Sequence, residues 1–267
     1  MNRKLLFGLF VVVIMFGGIA ARPPQADYSE EDVHGHSQGN HELDCTVIRP
    51  WDKSLGPGST KYPVIVWANG WGGNNVAGEN TTGFYIEMLR EWAVDGPYIV
   101  IAANQWSVQE SDVLACLEWI LDEYEGLVDP TKIGLAGHSQ GGGAVVKAGD
   151  GEPNGFDITA VLAMNPYGPA WVDAGKQDGP VMVLTGAYDA VTPYSWTYPV
   201  FEALQTNGIG GMYAVNQGAG HNDLDKFEPV PMLWWRYTLN GNRRAGRELR
   251  NILGADLWIT QYTDGMD

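Results

Sequence analysis

The chain has 267 residues, of which 45% are hydrophobic and 18% charged, with 32 Asp and Glu against 16 Lys and Arg. That length and apolar content suit one α/β domain with a sizeable core. A net charge of −16 repels phosphate backbones and anionic lipid surfaces, so nucleic acid and stable membrane association are not expected partners.

Residues 1–21 read as a secretory signal peptide. Arg3 and Lys4 precede an apolar run from Leu5 to Phe16 broken only by Gly8. This length suits an exported leader better than a membrane span. Gly18-Ile19-Ala20 offers a small-x-small cleavage site, with cleavage after Ala21 also open. The expectation is a secreted protein, extracellular or periplasmic; the alternative is an uncleaved anchor. Export permits a disulfide between the two cysteines, Cys45 and Cys116. Such a bridge would contribute about 4 kcal/mol in the chain-entropy model; two unpaired thiols are the other reading.

Residues 22–42 form a polar leader with Pro23-Pro24, Glu30-Glu31-Asp32, His34, His36 and His41. The histidines, with Glu42 and Asp44, match no closed zinc pattern and are read as solvated. No metal or organic cofactor is expected.

Residues 43–267 form the main domain, in which strand and helix signals alternate. Strands are predicted over Cys45–Ile48, Tyr62–Ala68, Tyr98–Ala103, Ile133–Gly137, Ile158–Met164 and Pro180–Thr185, with Gly211–Val215 the last. Helices are predicted over Phe84–Ala93, Glu110–Tyr124, Ser139–Ala148, Ser195–Gln205, Met232–Thr238 and Arg243–Leu253. Arg236, Arg243, Arg244, Arg247 and Arg250 make the end of the chain basic and are read as a solvated helix face. The alternation implies an α/β fold with a mostly parallel central sheet and helices on both faces. Sites in such sheets form beyond the carboxyl ends of the strands.

One motif sits at such an end. Ile133-Gly134-Leu135-Ala136 runs into Gly137-His138-Ser139-Gln140-Gly141, followed by Gly142-Gly143 and an apolar run. Gly-x-Ser-x-Gly between a strand and a helix places a serine hydroxyl on a sharp turn above a sheet. A nucleophilic serine needs a base and an acid that orients the base. Three of the five histidines lie in the leader and His138 is expected to point away from the serine, which leaves His221 in Gly218-Ala219-Gly220-His221. Asp189, after the strand ending at Gly186, fits the acid; Asp173, Asp178 and Asp223 are the alternatives. The order Ser, Asp, His is that of the α/β-hydrolases. A developing oxyanion would meet the N–H of Gln140 and a second N–H from Asn69-Gly70-Trp71-Gly72-Gly73, for which Trp71 is chosen.

The segments Val64–Trp71, Gly137–Gly142, Gly186–Pro193 and Gly218–His221 resemble secreted α/β-hydrolases of the cutinase-like polyesterase and poly(ethylene terephthalate) hydrolase group. They also look like the related chlorophyllase and dienelactone-hydrolase-like esterases. The resemblance spans about residues 43–240 and implies an α/β-hydrolase catalytic domain that cleaves ester substrates, polymeric ones included. In the polyesterases the oxyanion-loop residue is usually aromatic, as Trp71 is. The residue after the serine is often Met, where this chain has Gln140, and an aromatic after the next strand matches Tyr167. Between Asn165 and Pro180 there is no room for a large lid domain, so an open cleft is expected. Trp106, Tyr167, Trp171, Tyr188 and Trp196, with Trp71, are candidate walls for substrate. The other readings are a small-molecule esterase or lipase, a serine peptidase or amidase on the same fold, and a non-catalytic binding protein that retains it. Composition does not fix the oligomeric state.

Overall fold

The structure, a computed structural model, describes residues 28–38, 41–50, 61–72, 85–150, 155–168 and 173–263. The expected signal peptide, residues 1–21, lies outside the described residues.

Strands β1 (Tyr28–Gln38), β2 (His41–Pro50), β3 (Tyr62–Ala68), β4 (Ile99–Ala103), β5 (Val128–His138), β6 (Ile158–Met164), β7 (Val181–Gly186), β8 (Gly211–Asn216) and β9 (Trp258–Tyr262) form one sheet. Its order is β1-β2-β4-β3-β5-β6-β7-β8-β9. Strands β4, β3, β5, β6, β7 and β8 run parallel. The pairs β1–β2, β2–β4 and β8–β9 are antiparallel. The fold is therefore α/β with a mixed nine-stranded sheet.

Helices α1 (Ile86–Asp95), α2 (Glu110–Glu123), α3 (Gln140–Ala148), α4 (Tyr194–Thr206), α5 (Val230–Thr238) and α6 (Arg243–Leu253) cover both faces. Alternation along β3 divides the core: Val64, Val66 and Ala68 pack with α2, α3 and α4, whereas Ile65 and Trp67 pack with α1, α5 and α6. Both sets are buried, which is why the parallel strands read as continuous apolar runs. No helix among the described residues is long and apolar enough to cross a membrane.

Two strands lie where no strand was expected. Part of the polar leader is β1, and β9 follows the strand taken as last. An edge strand is half solvated, so it needs no apolar run. The acidic residues of β1 are anchored: Glu30 binds Arg90 at 2.8 Å, Glu31 accepts the Tyr124 hydroxyl at 2.9 Å, and Asp32 accepts the Thr46 hydroxyl at 2.7 Å. Glu30 and Glu31 reach helices α1 and α2, as strand alternation requires. Cys45 on β2 and Cys116 on α2, both buried, form a disulfide that closes over 71 positions of sequence.

Candidate active site

The candidate side chains come from loops at the carboxyl ends of neighbouring parallel strands. β5 ends at His138 and α3 begins at Gln140, so the chain turns from strand to helix at Ser139. That turn forces Ser139 to φ 55°, ψ −118°, a conformation L-residues seldom adopt. The flanking glycines explain how it is tolerated: a Cβ on Gly137 would strike the Gly141 backbone, and one on Gly141 would strike the Ala68 carbonyl. Backbone bonds then pin the turn. Ser139 N–H donates to Met164 O at 2.9 Å, and its carbonyl accepts from Gly143 and Tyr167.

Ser139, His221 and Asp189 form one hydrogen-bonded chain. Ser139 Oγ lies 3.0 Å from His221 Nε2, and His221 Nδ1 lies 2.8 Å from Asp189 Oδ2. Asp189 also receives Val191 N–H and Thr192 N–H on Oδ1, each at 2.8 Å, and the Thr192 hydroxyl on Oδ2 at 2.7 Å. Burial pushes the Asp189 carboxyl up, but the His221 and Thr192 hydrogen bonds outweigh it and hold the group below the ordinary aspartate value. An ionised carboxylate only accepts, so His221 Nδ1 carries the proton and Nε2 is left to accept from the serine.

The other acids hold different posts. Asp178 accepts from Ile158 N–H at the far end of β6, and Asp173 precedes the 3₁₀ turn Ala174–Lys176. Asp223 accepts from Gly220 N–H at 3.0 Å and pairs with Lys226 at 2.8 Å, shaping the loop that carries His221.

The Ser139 hydroxyl opens onto a cavity of about 800 Å³ lined by Gly70, Trp71, His138, Gln140, Tyr167 and His221, among others. Gln140 is the first residue of α3, where an N–H has no partner within its own helix. Among the described residues the Trp71 N–H has no protein acceptor either. Both residues therefore bring a spare backbone donor to the cavity that holds the serine. Trp71 is 71% exposed and meets Trp106 edge-on at 6.3 Å; Trp106 is not among the residues lining this cavity. Tyr167 lines the cavity and packs against Trp196 at 5.5 Å. Tyr188, expected as a wall, is 75% exposed and does not line it. Trp171 lies outside the described residues.

His138 departs from expectation. Its ring does not turn away from the site but lies 4.7 Å from that of His221, centroid to centroid, and lines the same cavity. Burial pushes its pKa down to about 3, with the His221 ring as a second cause, so it is neutral near pH 7. Three further residues carried no motif signal. Thr192 binds Asp189; Asn165, at the end of β6 with φ 45°, donates to His221 O at 2.9 Å; and Tyr85 bonds His138 Nδ1 at 2.9 Å. The signal that could have found Thr192 was its place three residues after a buried acid.

Among the described residues no group of three or more His, Cys, Asp or Glu is arranged to hold a metal ion. No protein-family model matches the chain, and no curated protein matches it.

Proposed function

We propose that this chain is a serine carboxylic-ester hydrolase with an α/β-hydrolase fold. The observation that carries the reading is the unbroken run from Ser139 Oγ through His221 to Asp189 on the wall of an open cavity. The strained turn at Ser139 and the placement of all three residues after parallel strands support it further.

In this reading Ser139 Oγ attacks the ester carbonyl carbon as its proton passes to His221 Nε2. The charge on the carbonyl oxygen is met by the N–H groups of Gln140 and Trp71, each worth about 3–4 kcal/mol of barrier lowering. His221 then gives its proton to the alcohol oxygen as the ester C–O bond breaks. Water, deprotonated by His221, repeats the cycle on the acyl-enzyme and frees the acid. Asp189 holds the imidazole in the required tautomer throughout and remains ionised.

The substrate end of the proposal is a neutral ester with an apolar or aromatic acyl group, polyesters included. Trp71, Tyr167 and Val191 supply apolar walls, and the strongly acidic chain disfavours anionic esters. Among the described residues between β6 and β7, only the short turn Ala174–Lys176 intervenes, consistent with an open cleft. The disulfide supports secretion, because such bonds persist in oxidising compartments.

A fluorophosphonate probe tests the mechanism: the wild type is labelled and Ser139→Ala is not. An unlabelled wild type overturns it. A series of p-nitrophenyl esters of increasing chain length, beside a polyester film, then locates the substrate.

A further inference from the structure

The residue before the serine and the residue that opens α1 form a second chain of hydrogen bonds. Gly70 N–H donates to Tyr85 Oη at 3.2 Å, Tyr85 Oη lies 2.9 Å from His138 Nδ1, and His138 Nε2 lies 2.8 Å from the His221 carbonyl. Chemistry fixes the direction of every bond. A carbonyl only accepts, so His138 Nε2 carries a proton. A neutral ring then has Nδ1 as acceptor, so the Tyr85 hydroxyl donates to it. That leaves the Tyr85 oxygen to accept from Gly70, which it does. Burial reinforces this single arrangement: Tyr85 is 4% exposed and His138 2%. Protonating the ring would place a second donor against the Tyr85 hydroxyl.

Resting on the esterase reading above, we propose that His138 and Tyr85 are positioning residues that hold the oxyanion loop and the His221 loop in register with each other. One end of the chain fixes Gly70, whose peptide neighbour Trp71 offers the second oxyanion N–H. The other end fixes the backbone of His221. The two loops follow β3 and β8, strands that are not neighbours in the sheet. The junction is also tight in space: a Cβ on Gly70 would lie 3.0 Å from Tyr85 Oη and 3.3 Å from both His138 Nδ1 and Ser139 Cβ. Asn165 shares the His221 carbonyl at 2.9 Å, so the base loop keeps one anchor if His138 is changed. The larger effect of breaking the chain is therefore expected at the oxyanion loop, in transition-state stabilisation and not in substrate binding.

The test is steady-state kinetics on a p-nitrophenyl ester, with active enzyme counted by fluorophosphonate labelling. Tyr85→Phe is expected to lose about tenfold in kcat with KM unchanged, the signature of an interaction realised only in the transition state. His138→Leu is expected to lose at least as much. His138→Gln, whose amide carries an acceptor and a donor on one carbon as the imidazole does, is expected to recover most of the rate. Tyr85→Phe combined with His138→Leu should cost no more than His138→Leu alone, because both cut one chain. Additive losses, a rise in KM at constant kcat, or full kcat in labelled Tyr85→Phe would overturn the proposal. Failure of the wild type to label would instead overturn the esterase reading itself.

Discussion

Thr192 and His221 meet on a single oxygen of Asp189: the Thr192 hydroxyl lies 2.7 Å and His221 Nδ1 2.8 Å from Oδ2. The same hydroxyl is 3.1 Å from the Asn165 carbonyl and 3.3 Å from His221 Nδ1. Thr192 thus sets where the carboxylate presents its acceptor to the imidazole. Its removal leaves Asp189 with two backbone donors on Oδ1 and no fixed side-chain partner beside His221. Thr192→Val is expected to lower kcat about tenfold, in line with a lost hydrogen bond to a charged group. Thr192→Ser, which keeps the hydroxyl, should retain most of the rate. Equal kcat in Thr192→Val and wild type would show that the hydroxyl has no part in placing Asp189.

Asp189→Asn separates charge and tautomer from shape. The amide can donate to His221 Nδ1, which moves the ring proton to Nε2 and removes the acceptor that Ser139 requires. A loss of roughly 10⁴-fold in kcat is expected with little change in stability. A loss below tenfold would move the orienting role away from Asp189. Asp178 and Asp223 are engaged elsewhere, and Asp173 stands at the start of the 3₁₀ turn Ala174–Lys176, so none could inherit it without the loops moving.

The legibility of the chain followed the strength of local signals. The parallel strands were readable because burial on both faces makes them apolar runs, and Glu110–Glu123 because its apolar positions keep the helical period. Ser139, Asp189 and His221, which the fold brings into one hydrogen-bonded chain, could be paired in advance because glycine spacing and chain order constrain such a motif together. Strand β1 was not, since Glu30, Glu31 and Asp32 find partners on other elements that sequence does not bring near. His138 and Tyr85 are 53 positions apart, and nothing local marks a pair that only the fold assembles. Tyr188 stands next to Asp189 in sequence, yet it is exposed and lies outside the lining of the Ser139 cavity, because neighbouring residues in a loop need not face the same space.

A buried histidine and a part-buried glutamate link stability to pH with opposite signs. His138 is pushed down to about 3 by burial and the His221 ring; Glu228 is pushed up to about 7 by burial and the Glu91 charge. Between roughly pH 4.5 and 6.5 the unfolded chain protonates the histidine and ionises the glutamate, while the folded protein does neither. The histidine therefore costs stability as pH falls, and the glutamate returns it, each by up to about 1.4 kcal/mol per pH unit. Glu228→Gln removes only the second contribution. The variant should be more stable than wild type at pH 8 and should lose stability more steeply toward pH 4.5. Urea midpoints at several pH values measure this, and parallel curves for the two proteins would contradict it.

The disulfide ties β2, near one sheet edge, to α2. Closing a loop of 71 positions restricts the unfolded chain by about 4 kcal/mol in the chain-entropy model. Cys45→Ala with Cys116→Ala should lower Tm by roughly 10 °C for a domain of this size. The Ser139, His221 and Asp189 bonds lie on other strands, so esterase activity at low temperature should persist. Calorimetry with parallel ester assays distinguishes the two readouts; a Tm within 2 °C of wild type would leave the bridge without a stabilising role.

Gly141 tests the turn itself. Its Cα sits against the strand β3 backbone, and a Cβ there would overlap the Ala68 carbonyl and crowd the Asn69 carbonyl. These are backbone atoms of a parallel strand and of the loop leading to Trp71, so neither can swing aside as a flexible side chain could. Relief would require α3 to lift from the sheet, carrying Gln140 N–H and Ser139 with it. Gly141→Ala is therefore expected to cost roughly 3 kcal/mol or more in stability, at the upper end for overpacking a buried site. Any folded fraction should lose fluorophosphonate labelling, because Ser139 and the Gln140 N–H move together. By contrast Gly126→Ala, with nothing within 4 Å of the added methyl, should leave both stability and labelling close to wild type. Urea denaturation and labelling of the two variants side by side decide the matter, and equal behaviour would mean that close approach at Gly141 is not what holds the turn.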